Sequence, residues 1–315
     1  MAGSRRRGSG AGDEQATATG PELNGLVVSH LGKGLAVEAE DGAIILCHTR
    51  RRLGDAAVGD RVLWSACGQD QGRVEAILPR RSLLTRPAYG GKIRCVAANL
   101  DRVFVVIAPT PEPDWLLVDQ YLAVCQNRDI AVEIVYNKLD LAQGAHDAAL
   151  EDYARIGYPL HRISAKQNLG LDALRQGLAG HCSMLAGQSG VGKSSLTNTL
   201  LPEKNLRIGE ISERSGLGRH TTTAATLYHL PGGGDLIDSP GVAVFGLAEI
   251  TEQSLAWGYR EFQAHIPNCR FNNCRHLKDK GCGVREAVEA GAVSLARYER
   301  YSRLLEKLIS PDAVA

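Results

Sequence analysis

One stretch constrains the whole chain: Gly187-Gln188-Ser189-Gly190-Val191-Gly192-Lys193-Ser194-Ser195. It follows an apolar run, Cys182-Ser183-Met184-Leu185-Ala186, and precedes Leu196-Thr197-Asn198-Thr199-Leu200-Leu201. Strand, glycine-rich loop and helix with the spacing GxxxxGK[ST] form a phosphate-binding loop. Its glycines let the backbone curl until successive N–H groups point at phosphate oxygens, and the helix adds its positive N-terminal end. Lys193 is placed to reach the β- and γ-phosphates and Ser194 to offer its hydroxyl to Mg²⁺.

Upstream, from Asn99, continuous apolar runs alternate with helical patterns: Val103–Ala108, Trp115–Asn127, Ala131–Tyr136, Ala145–Ile156, Pro159–Ser164 and Leu171–Leu178. Such alternation predicts a parallel sheet covered on both faces. Ligands bind such sheets at the carboxyl ends of the strands, where two further motifs fall. Asn137-Lys138-Leu139-Asp140 ends one strand. Asp140 can accept from N1–H and N2–H₂ of guanine, whereas adenine leaves the carboxylate unpaired. Asn137 is expected at the other edge of the base and the Lys138 stem over its face. Ser164-Ala165-Lys166 ends the next strand, as a second guanine-side loop. Downstream lies Asp238-Ser239-Pro240-Gly241, where Asp238 is expected to hold Mg²⁺ through water and the Gly241 N–H to sense the γ-phosphate. The four motifs together predict a GTP-binding switch domain.

Their order is unusual. In an ordinary GTPase the phosphate loop comes first and the base-reading loops last; here the base-reading loops precede it. Domain termini often lie close together, so a chain can be cut elsewhere and rejoined without loss of the fold. A circularly permuted GTPase domain is therefore expected over 99–245. Between Pro202 and Ala225 lies a polar stretch with Gly218-Arg219-His220-Thr221-Thr222-Thr223, the composition of a mobile switch loop. Thr222 or Thr223 is expected to bind Mg²⁺. Val242 follows Gly241, where many GTPases carry a water-orienting glutamine, so His220 is the nearest candidate for that task.

Residues 1–22 read as a disordered tail. Over 23–90, five short patterns (Gly25–His30, Gly34–Ala39, Ala43–His48, Arg61–Ala66, Gly72–Leu78) separated by glycine turns suggest a small β-barrel, of OB or SH3-like type. Between His48 and Arg94, ten Lys/Arg stand against four acids, a local excess of six positive charges in a chain of net charge +1. Such a patch suits a phosphate backbone, with Arg50, Arg51, Arg52, Arg80 and Arg81 as candidate RNA contacts. The only aromatics there, Trp64 and Tyr89, are few for base stacking.

Beyond 246, Cys269-x₄-Cys274-x-His276-x₅-Cys282 offers three thiolates and an imidazole, the donor set of a closed tetrahedral Zn²⁺ site. A structural ion is expected, with His265 as a rival ligand. Arg270, Arg275, Lys278, Lys280 and Arg285 make this segment basic too. The rest, Val284 to Leu308, reads as helix with an apolar stripe of Leu295, Tyr298, Tyr301, Leu304, Leu305 and Leu308. No apolar run reaches membrane-spanning length and no secretory signal is present, so a cytoplasmic protein is expected, with its cysteines reduced. No heptad or repeat suggests an oligomer.

The combination of barrel, GQSGVGKSS, GRHTTT, DSPG in permuted order and CxxxxCxHxxxxxC resembles the ribosome small-subunit-dependent GTPase A family over residues 23–310. The resemblance implies an N-terminal OB-fold, a central permuted GTPase and a C-terminal zinc-binding helical domain (246–315). It also implies GTP hydrolysis stimulated by the small (30S) ribosomal subunit, contact with its rRNA, and a late role in that subunit's maturation. One departure is Ala243-Val244, where many members carry Arg-Glu. The alternative is an RNA-binding scaffold in which GTP serves only as a conformational ligand.

Overall fold

The computed structural model describes residues 21–31, 34–49, 53–68, 71–87, 93–201, 225–239 and 250–309. His220, Thr222, Thr223, Gly241, Arg50, Arg51, Arg52 and the tail to residue 20 lie outside them.

Strands β1 (Leu23–Leu31), β2 (Gly34–Ala39), β3 (Ile44–Thr49), β4 (Arg61–Gly68) and β5 (Gln71–Ile77) close a barrel in the order β1-β2-β3-β5-β4, with β4 pairing back onto β1. The β3–β5 pairing is parallel and the others are antiparallel. Alternate residues point inward, so Val27, Val37, Val62, Trp64 and Val74 fill one core. Trp64 is thus barrel filling, not surface.

A hairpin, β6 (Leu83–Pro87) and β7 (Ile93–Ala98), follows the barrel and was not evident in the sequence pattern. Then come β8 (Arg102–Ile107), α1 (Trp115–Gln126), β9 (Ala131–Tyr136), α2 (Asp147–Arg155), β10 (Leu160–Arg162), α3 (Leu171–Leu178), β11 (Cys182–Ala186), α4 (Lys193–Leu200), β12 (Thr226–His229) and β13 (Asp235–Asp238). The sheet runs β10-β9-β8-β11-β13-β12. All its neighbours are parallel except β12, which runs antiparallel to β13 at the edge. The expected all-parallel sheet is thus mixed at that edge, because β12 and β13 are joined by a tight turn and not by a crossover helix. Strands β8 and β9 are buried nearly throughout. Leu174, Leu178, Leu196 and Leu200 cover one face, and Tyr121, Leu122, Leu150 and Tyr153 lie in the core on the other.

The two sheets are one. Strand β1 keeps β2 on one edge up to Leu31; its other edge pairs with β4 over Leu23–Leu26 and then with β12 at Ser29↔Thr226. The Ser29 hydroxyl donates to the Ala225 carbonyl at 3.1 Å. Half-exposed His229 sits between Glu38 of the barrel (2.7 Å) and Asp235 of β13 (2.6 Å). Buried Asn99 donates to the Gly59 carbonyl at 2.9 Å, fixing the start of the sheet to a barrel turn.

The C-terminal part contains two short helices, α5 (Glu252–Trp257) and α6 (Arg260–Gln263), then α7 (Gly283–Glu289) and α8 (Leu295–Ile309). The single helical stretch expected here is broken at Gly291, whose φ of +74° suits a residue without a side chain. Tyr301, Leu304 and Leu305 are buried as the stripe predicts, but Leu295 is exposed, since it opens the helix. The helix hides a residue the stripe omits. Arg297 is fully buried and pairs with Asp119 of α1 and with Glu261, the latter at 2.7 Å. Arg300 also reaches Asp119, at 2.6 Å, and the Tyr153 hydroxyl donates to the same carboxylate at 2.5 Å. The Arg297 guanidinium lies 4.6 Å from the Tyr259 ring and 5.0 Å from that of Tyr153. Burial opposes its charge, yet Asp119 and Glu261 outweigh this and hold the guanidinium more firmly protonated than usual. Every buried charge here has a partner, the condition under which such groups are tolerated.

Candidate functional site

The loops after β8, β9, β10 and β11 meet at the carboxyl end of the sheet. Gly187 opens the phosphate loop with φ +139°, and a Cβ there would sit 2.2 Å from the Val106 carbonyl oxygen. Gly192 closes it with φ +95°, and a Cβ there would sit 2.5 Å from the Asn137 amide nitrogen. Backbone conformation and crowding both exclude any side chain at these two points.

Asn137 is the hub. Buried at 2% exposure, it donates from Nδ2 to the Val191 carbonyl at 3.0 Å and accepts on Oδ1 from the Ala165 N–H at 3.1 Å. It therefore joins the phosphate loop to the 164–166 loop, a framework task that the sequence pattern did not reveal. One Nδ2 hydrogen has no partner among the described residues. Lys138, in a left-handed conformation at φ +59°, arches across to the Gly190 and Thr110 carbonyls, each at 2.7 Å. Asp140 sits exposed in a 3₁₀ turn, Leu139–Leu141, anchored by the Leu139 N–H to the Ile163 carbonyl at 2.9 Å. Its carboxylate accepts from the buried Ser164 hydroxyl at 2.6 Å. That bond holds the Asp140 pKa below its usual value, assisted by Lys166 and Lys138. An ionised, oriented carboxylate is the state that accepts from two adjacent donors.

Lys193 folds over its own loop, donating to the Gly187 and Gln188 carbonyls at 2.7 Å each. Burial lowers its pKa and the charge of Asp238 partly restores it. Ser194 and Ser195 are exposed at the start of α4. Gln188 clamps the neighbouring loop: its Oε1 accepts from the Asp114 N–H at 2.7 Å and its Nε2 donates to the Glu112 carbonyl at 2.8 Å. Asp114 in turn caps α1 through the Leu117 N–H at 3.0 Å. Sequence reasoning placed Gln188 in the loop but not its grip on 112–114, which lies 74 residues away.

At the other site, the ligand atoms of Cys269, Cys274, His276 and Cys282 all lie within 4.8 Å of one another. His276 presents Nδ1, 3.4 Å from the Cys269 sulfur and 3.5 Å from that of Cys282. Three sulfurs and one ring nitrogen at this spacing fit a tetrahedral Zn²⁺, and His265 is not part of the cluster. Burial pushes the Cys274 thiol up to about 12, a penalty a bound cation removes. The Tyr298 and Tyr301 hydroxyls donate to the His276 and Arg275 carbonyls at 2.7 and 2.9 Å, locking the loop onto α8.

Of the candidate RNA contacts, Arg80 faces inward, its Nε 2.7 Å from a carboxylate oxygen of fully buried Asp60. Arg81 is largely exposed and pairs with Asp101 at 2.7 Å. Arg86 and Arg94, not singled out among the candidate contacts, face each other directly across the hairpin β6–β7.

The loops at 137–140 and 164–166 precede the phosphate loop in the chain yet join it in space, the motif order of a circularly permuted GTPase. A sequence model of the RsgA GTPase family matches residues 77–248. The chain is 44% identical over 301 residues to the small ribosomal subunit biogenesis GTPase RsgA of Azotobacter vinelandii, covering 93% of this chain and 88% of that one. It is 43% identical over 312 residues to the protein of the same name from Pseudomonas aeruginosa strain LESB58, covering 98% and 92%. The crystal structure of YjeQ from Thermotoga maritima superposes with a TM-score of 0.75 at 32% identity, over 92% of this chain and 99% of that one. YloQ, described as a circularly permuted GTPase, gives 0.71 at 25% identity over 97% and 100%. The chain belongs to the RsgA GTPase family.

Proposed function

We propose that the protein hydrolyses GTP to GDP and phosphate while docked on the small ribosomal subunit, and acts late in that subunit's maturation. The observation that carries this reading is the bridge from Asn137 to both Val191 and Ala165, which makes base reading and phosphate holding one unit. In this reading Asn137, Lys138, Leu139, Asp140 and Ser164–Lys166 hold guanine, and Gly187–Ser195 with Gly241 hold the phosphates. Mg²⁺ is held by Ser194, by Thr222 or Thr223, and through water by Asp238. His220 orients the attacking water. Zn²⁺ at Cys269, Cys274, His276 and Cys282 is structural, because four protein ligands leave no open position. The relatives' names supply the subunit.

Contact with rRNA is assigned to the basic faces, Arg50–Arg52 and Arg81 among them. Arg86 opposite Arg94 supports this: like charges directly across a strand pair repel, and a phosphate between them relieves the repulsion. Arg80 keeps its buried partner Asp60 and is assigned to holding the barrel together. The protein works as a cytoplasmic monomer; among the described residues no helix is long and apolar enough to cross a membrane.

The test is GTP turnover by the zinc-loaded protein with and without small subunits, with a large stimulation expected. No stimulation, with GTP binding intact, overturns the reading in favour of a scaffold that uses GTP only as a conformational ligand. Val242 is the feature favouring that second reading. His220→Ala separates the two, since lost turnover with retained GTP binding means hydrolysis is central.

A further inference from the structure

The barrel's one described aromatic, Trp64, is buried, yet two rings stand half exposed elsewhere: Trp257 at 47% and Phe271 at 46%. Both line one cavity of about 560 Å³, walled on one side by Cys269, Cys274 and His276. The adjacent core has no shortage of aromatic packing. Tyr259 and Phe262 stack at 5.0 Å, and Phe262 and Tyr301 meet edge to face at 5.0 Å. Trp257 and Phe271 stand outside this core, in which Tyr259, Phe262 and Tyr301 are buried. Exposed aromatic surface at a cavity marks a binding site.

The charges on the loop that carries Phe271 point to the ligand. The Arg270 guanidinium lies 5.4 Å from the centroid of Phe271. Lys278 and Lys280 are exposed on the same loop. Among the described residues no carboxylate pairs with any of these three. Thr251, Gln253 and Asn272 put hydrogen-bonding groups on the cavity lining. Aromatic faces flanked by unpaired cations are how proteins hold single-stranded nucleic acid: the rings stack on bases and the cations follow the phosphates.

We propose that this cavity is a nucleobase pocket. An unpaired base of a single-stranded RNA segment stacks on Trp257 and Phe271, with flanking phosphates on Arg270, Lys278 and Lys280. The proposal rests on the reading that the protein binds ribosomal RNA, and locates a base-reading point at the zinc end. Bases within a duplex are already stacked and cannot enter.

The test uses the full-length, zinc-loaded protein and a single-stranded RNA of about twelve nucleotides, compared with the same strand annealed to its complement. Trp64 is buried, and Trp115 stacks on Tyr153 with 5.8 Å between centroids, so Trp257 reports on this site. The single strand is expected to quench Trp257 fluorescence and the duplex is not. Trp257→Ala and Phe271→Ala are each expected to weaken single-strand binding about 5-fold or more and duplex binding far less. Trp257→Phe keeps a stacking face and is expected to retain most of the affinity. Trp257→Leu keeps apolar bulk but no face, and serves if the alanine variant loses zinc.

Absent quenching, or equal weakening of single-strand and duplex binding, overturns the pocket. So does unchanged RNA binding by Trp257→Ala combined with lost binding to RNA-free small-subunit proteins, which makes the surface a protein dock. Stimulation of the unmodified protein's GTPase by small subunits is measured in parallel. If stimulation persists while the pocket fails, only the pocket falls; if stimulation itself is absent, the ribosomal reading falls.

Discussion

The nucleotide end and the zinc end face the same difficulty, namely ordering loops that have little apolar surface to bury, and they meet it in opposite ways. At the nucleotide end the cations rest on backbone carbonyls of the phosphate loop and its neighbour: Lys193 on Gly187 and Gln188, Lys138 on Gly190 and Thr110. These are exchangeable bonds that an arriving phosphate can replace. At the zinc end the ligands converge on one point, and the helix behind them is pinned by the fully buried Arg297–Asp119 pair, with Glu261 at its edge. Breaking that cluster strands charges away from water. One end is built to change partners and the other to keep them.

Removing the metal should produce the largest effect. Structural Zn²⁺ sites contribute about 10–16 kcal/mol of apparent binding energy. Chelation is expected to open residues 269–282 to protease while GTP binding persists. Unchanged cleavage would mean that Tyr298 and Tyr301 alone hold the loop, and the contrast between the two ends would collapse.

Next comes Arg297→Ala. It leaves Asp119 and Glu261 buried with too little positive charge, and removal of one member of such a cluster costs about 3–5 kcal/mol. Urea denaturation followed in the C-terminal helices should show the fall. A loss near zero would indicate that water reaches Asp119.

At the nucleotide end, Asn137→Ala removes two buried hydrogen bonds and strands the Val191 carbonyl and the Ala165 N–H. With about 1–3 kcal/mol at stake, GTP affinity by titration calorimetry is expected to drop about tenfold, with the zinc site untouched. An unaltered affinity would deny Asn137 its role as hub.

The smallest effect belongs to the joint between barrel and GTPase sheet. Burial lowers the His229 pKa, but hydrogen bonds to Glu38 and Asp235 more than offset this and leave it raised above 6.5. The contribution is therefore complete below about pH 6.5 and is lost as pH rises through the higher folded value. Because the ring is half exposed it is worth under about 1 kcal/mol. Stability of His229→Gln measured from acid to alkaline pH should lack this decline. If the decline persists, another group carries it.

What was readable in the sequence was whatever depends on short spacing. The phosphate loop, Asn137–Asp140, the cysteine–histidine run and most strands are set by neighbours a few residues apart. What escaped depends on partners far away. Arg297 sits at an ordinary helical position and is buried only because Asp119, 178 residues earlier, waits opposite. Arg80 looks like any surface cation until Asp60 folds beneath it. Asn137 fits the pattern of a base reader, and only the close approach of Gly192 turns its amide towards the phosphate loop. The hairpin β6–β7 lacks a clean alternation because its register shifts between Leu84 and Thr85.

The joint at Ser29 and Thr226 also sets a timetable for the growing chain. The two residues stand 197 positions apart. At about 5–20 residues per second of synthesis, the second edge of β1's far half, already paired with β2 on the first, waits about 10–40 s for β12, long after β4 has closed the barrel. Over the same interval the edge of β8 stays bare until β11 emerges. A freshly made barrel thus carries an open strand edge, the kind of surface that recruits other chains, and the permuted order of the GTPase makes β12 one of the last strands to arrive. Newly synthesised protein is most exposed to mispairing before residue 226 has left the ribosome.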